Sequence, residues 1–184
     1  MRSYLSISKF VLEHVVTTDA TFLPSPAHSL SPGVYGYDDL TEGAFFLTSG
    51  ITVTEAHVVG YAGISGDLFD VHMDDEFARE QGFPARIAHG LLGLALTDGL
   101  KTRCPVRLLG IATLGWNWSF KAPIFIGDRI AARFEVHAKR PTRRDDRGIV
   151  TFEVKVLNQN GTVVQEGQTL LMMGGRTPEA TASA

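Results

Sequence analysis

The sequence predicts an α+β fold in which a curved antiparallel sheet wraps round one long helix. Three observations carry this. Residues 88–100 form a helical run that is apolar almost all round, the chain after it alternates as strands do, and the chain before it holds a strand followed by short helices. Helices and strands segregated in this way argue against a doubly wound sheet, which needs them to alternate.

Each element has its own signal. Residues 45–53 read as one strand. Thr54 then looks like an N-cap with Glu55 in the first turn, so a helix is expected from Glu55 to about Ala62. The glycines of Gly63-Ile64-Ser65-Gly66 should break it. A short helix capped by Asp74 is expected to run to Gln81, where Gly82 and Pro84 end it. The run Ala88 to Leu100 is the central helix, and its lack of a polar face predicts burial. Gly93 costs it on the order of 1 kcal/mol of helix propensity, which points to a close neighbour there. Residues 108–120 return to strand. In residues 129–139, Ile130, Ala132, Phe134, Val136 and Ala138 alternate with more polar positions, a strand with one buried face. Residues 149–157 repeat this with Val150, Phe152, Val154 and Val156. Asn160-Gly161 predicts a type I′ hairpin, and residues 162–173 form the last strand, with Gly167 read as a bulge. This order is that of a hot-dog fold.

Composition narrows the function. The 184 residues are 44% hydrophobic and 20% charged, as in an ordinary single globular domain. A net charge of -3 gives no nucleic-acid footprint. No apolar run reaches the roughly 18 to 20 residues of a membrane span. Cys104 is the only cysteine, so no intrachain disulfide forms, which fits a reducing cytosol and a cytoplasmic location. The apolar patch Phe10-Val11-Leu12 is too short for a secretory signal. Residues 1–35, with Pro24, Pro26 and Pro32, read as an extension, 36–174 as the domain and 175–184 as a tail.

The chemistry is concentrated in residues 61–72. Asp67 and His72 are five residues apart. On a helix they would diverge, and on a strand they would face opposite sides, so they meet only if the backbone turns between them. Gly66, just before Asp67, favours such a loop. A carboxylate and an imidazole that share one water can take a proton and give one. A solvated loop with Asp67 capping a turn is the plainer alternative. His89-Gly90 opens the central helix, where free amides carry partial positive charge and glycine lets a ligand come close. The cluster Lys139 to Arg144 is followed by Asp145 and Asp146 and reads as a solvated loop. Trp116 and Trp118 read as core and interface.

These residues resemble the MaoC-like dehydratases, the hydratase-2 group of (R)-specific enoyl-CoA hydratases. Tyr61, Ser65, Gly66, Asp67, Val71 and His72 match the family's motif. Ile87-Ala88-His89-Gly90-Leu91-Leu92 is similar to its helix start, and residues 120–128 to a later loop phrase. The three phrases stand in family order within about residues 36–173. The resemblance implies reversible hydration of a trans-2-enoyl-CoA to an (R)-3-hydroxyacyl-CoA. It assigns Asp67 and His72 to the water, Gly90 N–H to the thioester carbonyl, and Ser65, Phe69, His89, Leu91 and Asp98 to the substrate site. It implies no metal and no cofactor, coenzyme A entering only with the substrate, and a homodimer or an assembly of dimers. Two departures bear on the substrate more than on the reaction. Phe69-Asp70 stands where the family has Asn-Pro, and Asp98 where relatives often have Ser.

Three rival readings differ in kind. A hot-dog thioesterase would use the same carboxylate, water and helix N-terminus but release free coenzyme A. A non-catalytic subunit would bind acyl chains or a partner protein, and the presence of both Asp67 and His72 argues against it. Asp67, His72 and His89 could also hold zinc or iron, though their spacing matches no specific metal signature.

Overall fold

A computed structural model of the chain describes residues 28–175. The expected extension over residues 1–27 and the tail over 176–184 lie outside the described residues. Residues 28–35, expected to belong to the extension, pack on the domain. Leu30 N–H donates to the Phe45 carbonyl at 2.8 Å, and β1 (Gly33–Tyr35) pairs in parallel with β4 (Val106–Leu108).

The main sheet joins β2 (Phe45–Leu47), β6 (Arg129–Pro141), β7 (Arg147–Leu157), β8 (Val163–Gly174) and β5 (Gly110–Phe120) in that order, all antiparallel. β3 (Ile51–Thr52) also pairs with β6. The chain thus has the hot-dog arrangement that the sequence predicts. Alternation fixes the core. Ile130, Ala132, Phe134 and Val136 of β6 and Val150, Phe152, Val154 and Val156 of β7 are buried. Phe46 and Phe134 stack at 5.1 Å, and Phe152 meets both edge-on. Each such ring contributes about 2 to 3 kcal/mol by leaving water.

Several elements depart from expectation for local reasons. The first strand is two short ones, because Thr48 turns its hydroxyl onto the β6 backbone, Oγ1 accepting from Ala132 N at 2.9 Å. The strand after the central helix is split at Leu109 into β4 and β5. The Asn160-Gly161 turn is not type I′, which needs positive φ at both central residues. Only Gly161 has it, at 76°, and Asn158 Oδ1 instead accepts from the Asn160 and Thr162 amides across a longer loop. Gly167 is no bulge. It stays in register, and a Cβ there would stand 2.1 Å from the Asn117 carbonyl oxygen.

The central helix α4 (Gly90–Thr102) buries Leu92, Gly93, Thr97 and Leu100 against the sheet. It is not buried all round. One sheet covers one side, and Leu91, Ala95 and Gly99 stay exposed on the other. No helix of the described residues is long and apolar enough to cross a membrane.

Helix α1 (Glu55–Ser65) runs through Gly63 and ends only at Gly66, whose φ of 76° and N–H to the Ala62 carbonyl close it. Helix α2 (Asp70–Met73) follows, unforeseen in the sequence, and then α3 (Asp75–Glu80), capped by Asp74 as expected. Arg86 ties these pieces down. Its backbone N–H donates to Asp75 Oδ1 at 2.9 Å, and its guanidinium lies 3.4 Å from Asp75 and 3.2 Å from Glu55.

The Arg86 amide, and then its charge, hold the Asp75 carboxyl below its usual pKa. A depressed carboxyl pKa stabilises the fold above the ordinary value of about 4 and loses that contribution as pH falls through the lowered one. Asp75→Asn should therefore lower the Tm at pH 7, and the gap to wild type should close in acid. Melting curves at neutral pH and near about pH 3 check this.

Candidate active site

The loop between α1 and α2 brings the two expected side chains together. Asp67 follows the left-handed Gly66, and His72 stands on the short α2. A carboxylate oxygen of Asp67 and ring nitrogens of His72 and His89 lie within 4.8 Å of one another. Asp67 and His72 form no direct hydrogen bond. A single water at about 2.8 Å from each can bridge such a gap.

Local hydrogen bonds set each group. Ser65 Oγ donates to the Tyr61 carbonyl at 2.8 Å and accepts from Asp67 N at 3.1 Å, so Ser65 shapes the loop from within. Asp67 Oδ1 accepts from Phe69 N at 3.2 Å, which steadies the carboxylate and leaves Oδ2 free. A backbone amide therefore serves at the first departure from the family motif. The Phe69 side chain is exposed and meets the His72 and Phe77 rings edge-on.

His72 is oriented by the strand-like segment that leads into α4. Ile87 N–H donates to the Val71 carbonyl, Ala88 N–H donates to the Ile124 carbonyl, and His72 Nδ1 donates to the Ile87 carbonyl at 2.8 Å. A carbonyl only accepts, so Nδ1 carries a proton, and in the neutral ring Nε2 presents a lone pair. Asp67 Oδ2 and His72 Nε2 are then both acceptors.

His89, which the resemblance assigns to the substrate site, is the N-cap of α4 and is 2% exposed. Its Nε2 donates to the Asp67 main-chain carbonyl at 2.9 Å. Its ring lies tilted against His72 at 3.9 Å and against Tyr61 at 5.0 Å. It thus braces both catalytic candidates. Asp67, His72 and His89 are the one group among the described residues with metal-ligand spacing. His89 has committed Nε2 to the main chain, so it could offer a metal only Nδ1.

Gly90 opens α4, and its N–H has no partner among the described residues. A Cβ at Gly90 would stand 2.8 Å from the Phe120 ring, so glycine keeps the approach to this amide open. Leu91 lies on the exposed rim. Asp98 is not brought to the site. It lies eight residues along α4, about 12 Å on, and pairs with Lys101 at 2.7 Å beside a separate cavity of about 350 Å³ lined by Arg107 and Ile111. The basic cluster also stands apart: Lys139 and Arg140 lie at the end of β6, and Arg143 and Arg144 lie in the β6–β7 connection. Asp146 there accepts from Arg147 and Arg144, and these bonds hold its carboxyl far below the usual range.

Sequence reasoning missed Gln165. It is buried on β8, donates to the Gly90 carbonyl and accepts from the Trp118 indole. The available signal was a polar residue at an inward position of an alternating strand.

Comparisons with known proteins converge. Residues 41–158 match the MaoC-like domain family. The (R)-specific enoyl-CoA hydratase of Aeromonas caviae is 33% identical over 119 residues, 64% of this chain and 84% of that protein. The crystal structure of the MaoC-like dehydratase from Rhodospirillum rubrum superposes with a TM-score of 0.72 at 31% identity, covering 78% of this chain and 99% of that one. A Mycobacterium tuberculosis protein with a double hot-dog fold has a TM-score of 0.71 at 20% identity, over 84% of this chain and 48% of that one, a likeness of fold alone.

Proposed function

This chain belongs to the MaoC-like domain family, and from that premise we propose that it is a hydro-lyase that reversibly hydrates trans-2-enoyl-CoA to (R)-3-hydroxyacyl-CoA. The observation that carries the reading is the meeting of Asp67 and His72 with His89, the N-cap whose neighbour in the chain is the free amide of Gly90. A water between Oδ2 and Nε2 faces two acceptors, so it donates both hydrogens and turns its lone pairs outward. It attacks Cβ of the enoyl group. The double-bond electrons move toward the thioester oxygen, where Gly90 N–H and the N-terminal dipole of α4 stabilise the growing charge. As the C–O bond forms, one of the pair takes a proton from the water, and the pair then delivers that same proton to Cα. The two groups act as one unit in this exchange. No metal takes part in it.

The test is the hydration of crotonyl-CoA, with the configuration of the product determined and free thiol followed in parallel. (R)-3-hydroxybutyryl-CoA without thiol release supports the reading. Thiol release would turn it to a thioesterase, and metal dependence matched by elemental analysis would turn it to the Asp67–His72–His89 metal site.

The working unit in this proposal is a homodimer. β5 is an edge strand, and it exposes Ile111, Leu114 and Phe120. Its ladder to β8 is irregular after Gly110 and Thr113 but regular from Gly115 to Phe120. An open apolar edge invites a second strand, and a strand added there would lie close to Gly90 through Phe120. Sedimentation at micromolar concentration should show a dimer or larger, and a monomer would overturn this. A cytoplasmic location accords with the lone cysteine and stays part of the proposal.

A further inference from the structure

Gln165 lies in the core at 2% exposure, and its amide joins three elements. Nε2 donates to the Gly90 carbonyl at 2.9 Å, and Oε1 accepts from Trp118 Nε1 at 3.0 Å. An indole N–H can only donate. It therefore selects the oxygen end of the amide and turns the NH₂ end toward α4. The helix makes room for this: a Cβ at Gly93 would stand 2.3 Å from Nε2. That explains the glycine in the middle of the helix.

We propose that Gln165, locked by Trp118, is a positioning residue that fixes the Gly90–Leu91 peptide, joined at the Gly90 Cα to the peptide that carries the Gly90 N–H, and so holds that N–H toward the thioester oxygen. The inference rests on the hydratase reading and extends it to a residue that never touches substrate. An oxyanion donor works by being held in place before charge develops, so the clamp should govern kcat more than KM. Around Gln165 stand Trp118, Ile124 near Gly93, and Val156 in register on β7. None of these titrates, and Glu166, next along β8, pairs with Lys121 at 2.9 Å.

The experiment compares full-length wild type with Gln165→Glu, Gln165→Leu and Trp118→Phe in crotonyl-CoA hydration between about pH 5.5 and 8.5. A buried carboxyl has a raised pKa. Ionised, it cannot donate to the Gly90 carbonyl; protonated, it can. At high pH the Gln165→Glu variant should lose about tenfold or more in kcat with KM within about threefold, and its ratio to wild type should recover as pH falls. Gln165→Leu should show the loss at every pH, and Trp118→Phe a smaller one. A Gln165→Glu kcat equal to wild type at high pH, or a ratio indifferent to pH, would overturn the proposal, and this near-isosteric variant decides it should Gln165→Leu fail to fold. The Gly90 amide resonance reads the clamp without catalysis. It should shift in Gln165→Glu and return on acidification, and an unmoved resonance refutes the positioning. A wild type inactive on crotonyl-CoA would instead refute the hydratase reading.

Discussion

Asp67→Asn and His72→Ala should each slow crotonyl-CoA hydration at least about a hundredfold, the low end for groups that move protons. Asn keeps the shape of the loop, because its side-chain oxygen can still accept from Phe69 N as Asp67 Oδ1 does. What it loses is the second acceptor, since the amide NH₂ only donates. The water would then lose one of its two orienting partners and its strongest base. His72→Ala removes the other acceptor and the bond to the Ile87 carbonyl. The double variant should be little worse than either single one, because two groups that hold one water fail together. Near-normal turnover in either single variant would remove both from the mechanism. Circular dichroism keeps a folding defect from posing as a chemical one.

The sequence made the outline of this site legible and hid its support. Asp67 and His72 at a spacing of five required the backbone to turn between them, and Gly66, just before Asp67, marked where that loop begins; Gly66 ends α1 at φ 76°, and the chain turns through residues 68–69 into α2. The element that completes the convergence, α2, is four residues long, too short to leave a periodic trace. His89 showed its capping place but not its bond to the Asp67 carbonyl, because a contact across 22 residues depends on how α1 and α4 pack. Asp98 is the converse case. Distance along a helix was legible, and it put Asp98 about two turns from Gly90, while the resemblance alone assigns it to the substrate site. In the sheet, alternation located β6 and β7 because one face is wholly apolar. The breaks at Thr48 and Leu109 escaped, since each turns on one side chain or one pairing partner and not on a pattern.

Gly90→Ala should lower kcat/KM for crotonyl-CoA by about a hundredfold, the scale of losing one oxyanion donor, while Gly99→Ala on the same helix should leave it unchanged. The two glycines differ in place and in surroundings, Gly90 opening the helix and Gly99 lying near its end. At Gly99 a Cβ meets nothing within 4 Å, so alanine gains about 1 kcal/mol of helix propensity and should raise the Tm. At Gly90 the new Cβ stands 2.8 Å from the Phe120 ring. Phe120 is 55% exposed and can swing aside, so the fold survives. The displaced ring and the methyl group then crowd the space through which a thioester oxygen reaches the amide. If Gly90 N–H is the donor, the fall appears largely in kcat, because the bond strengthens as the oxygen gains charge. A fall confined to KM would make Gly90 only a steric allowance for binding. Unchanged kinetics with a raised Tm, as at Gly99, would put the oxyanion site elsewhere.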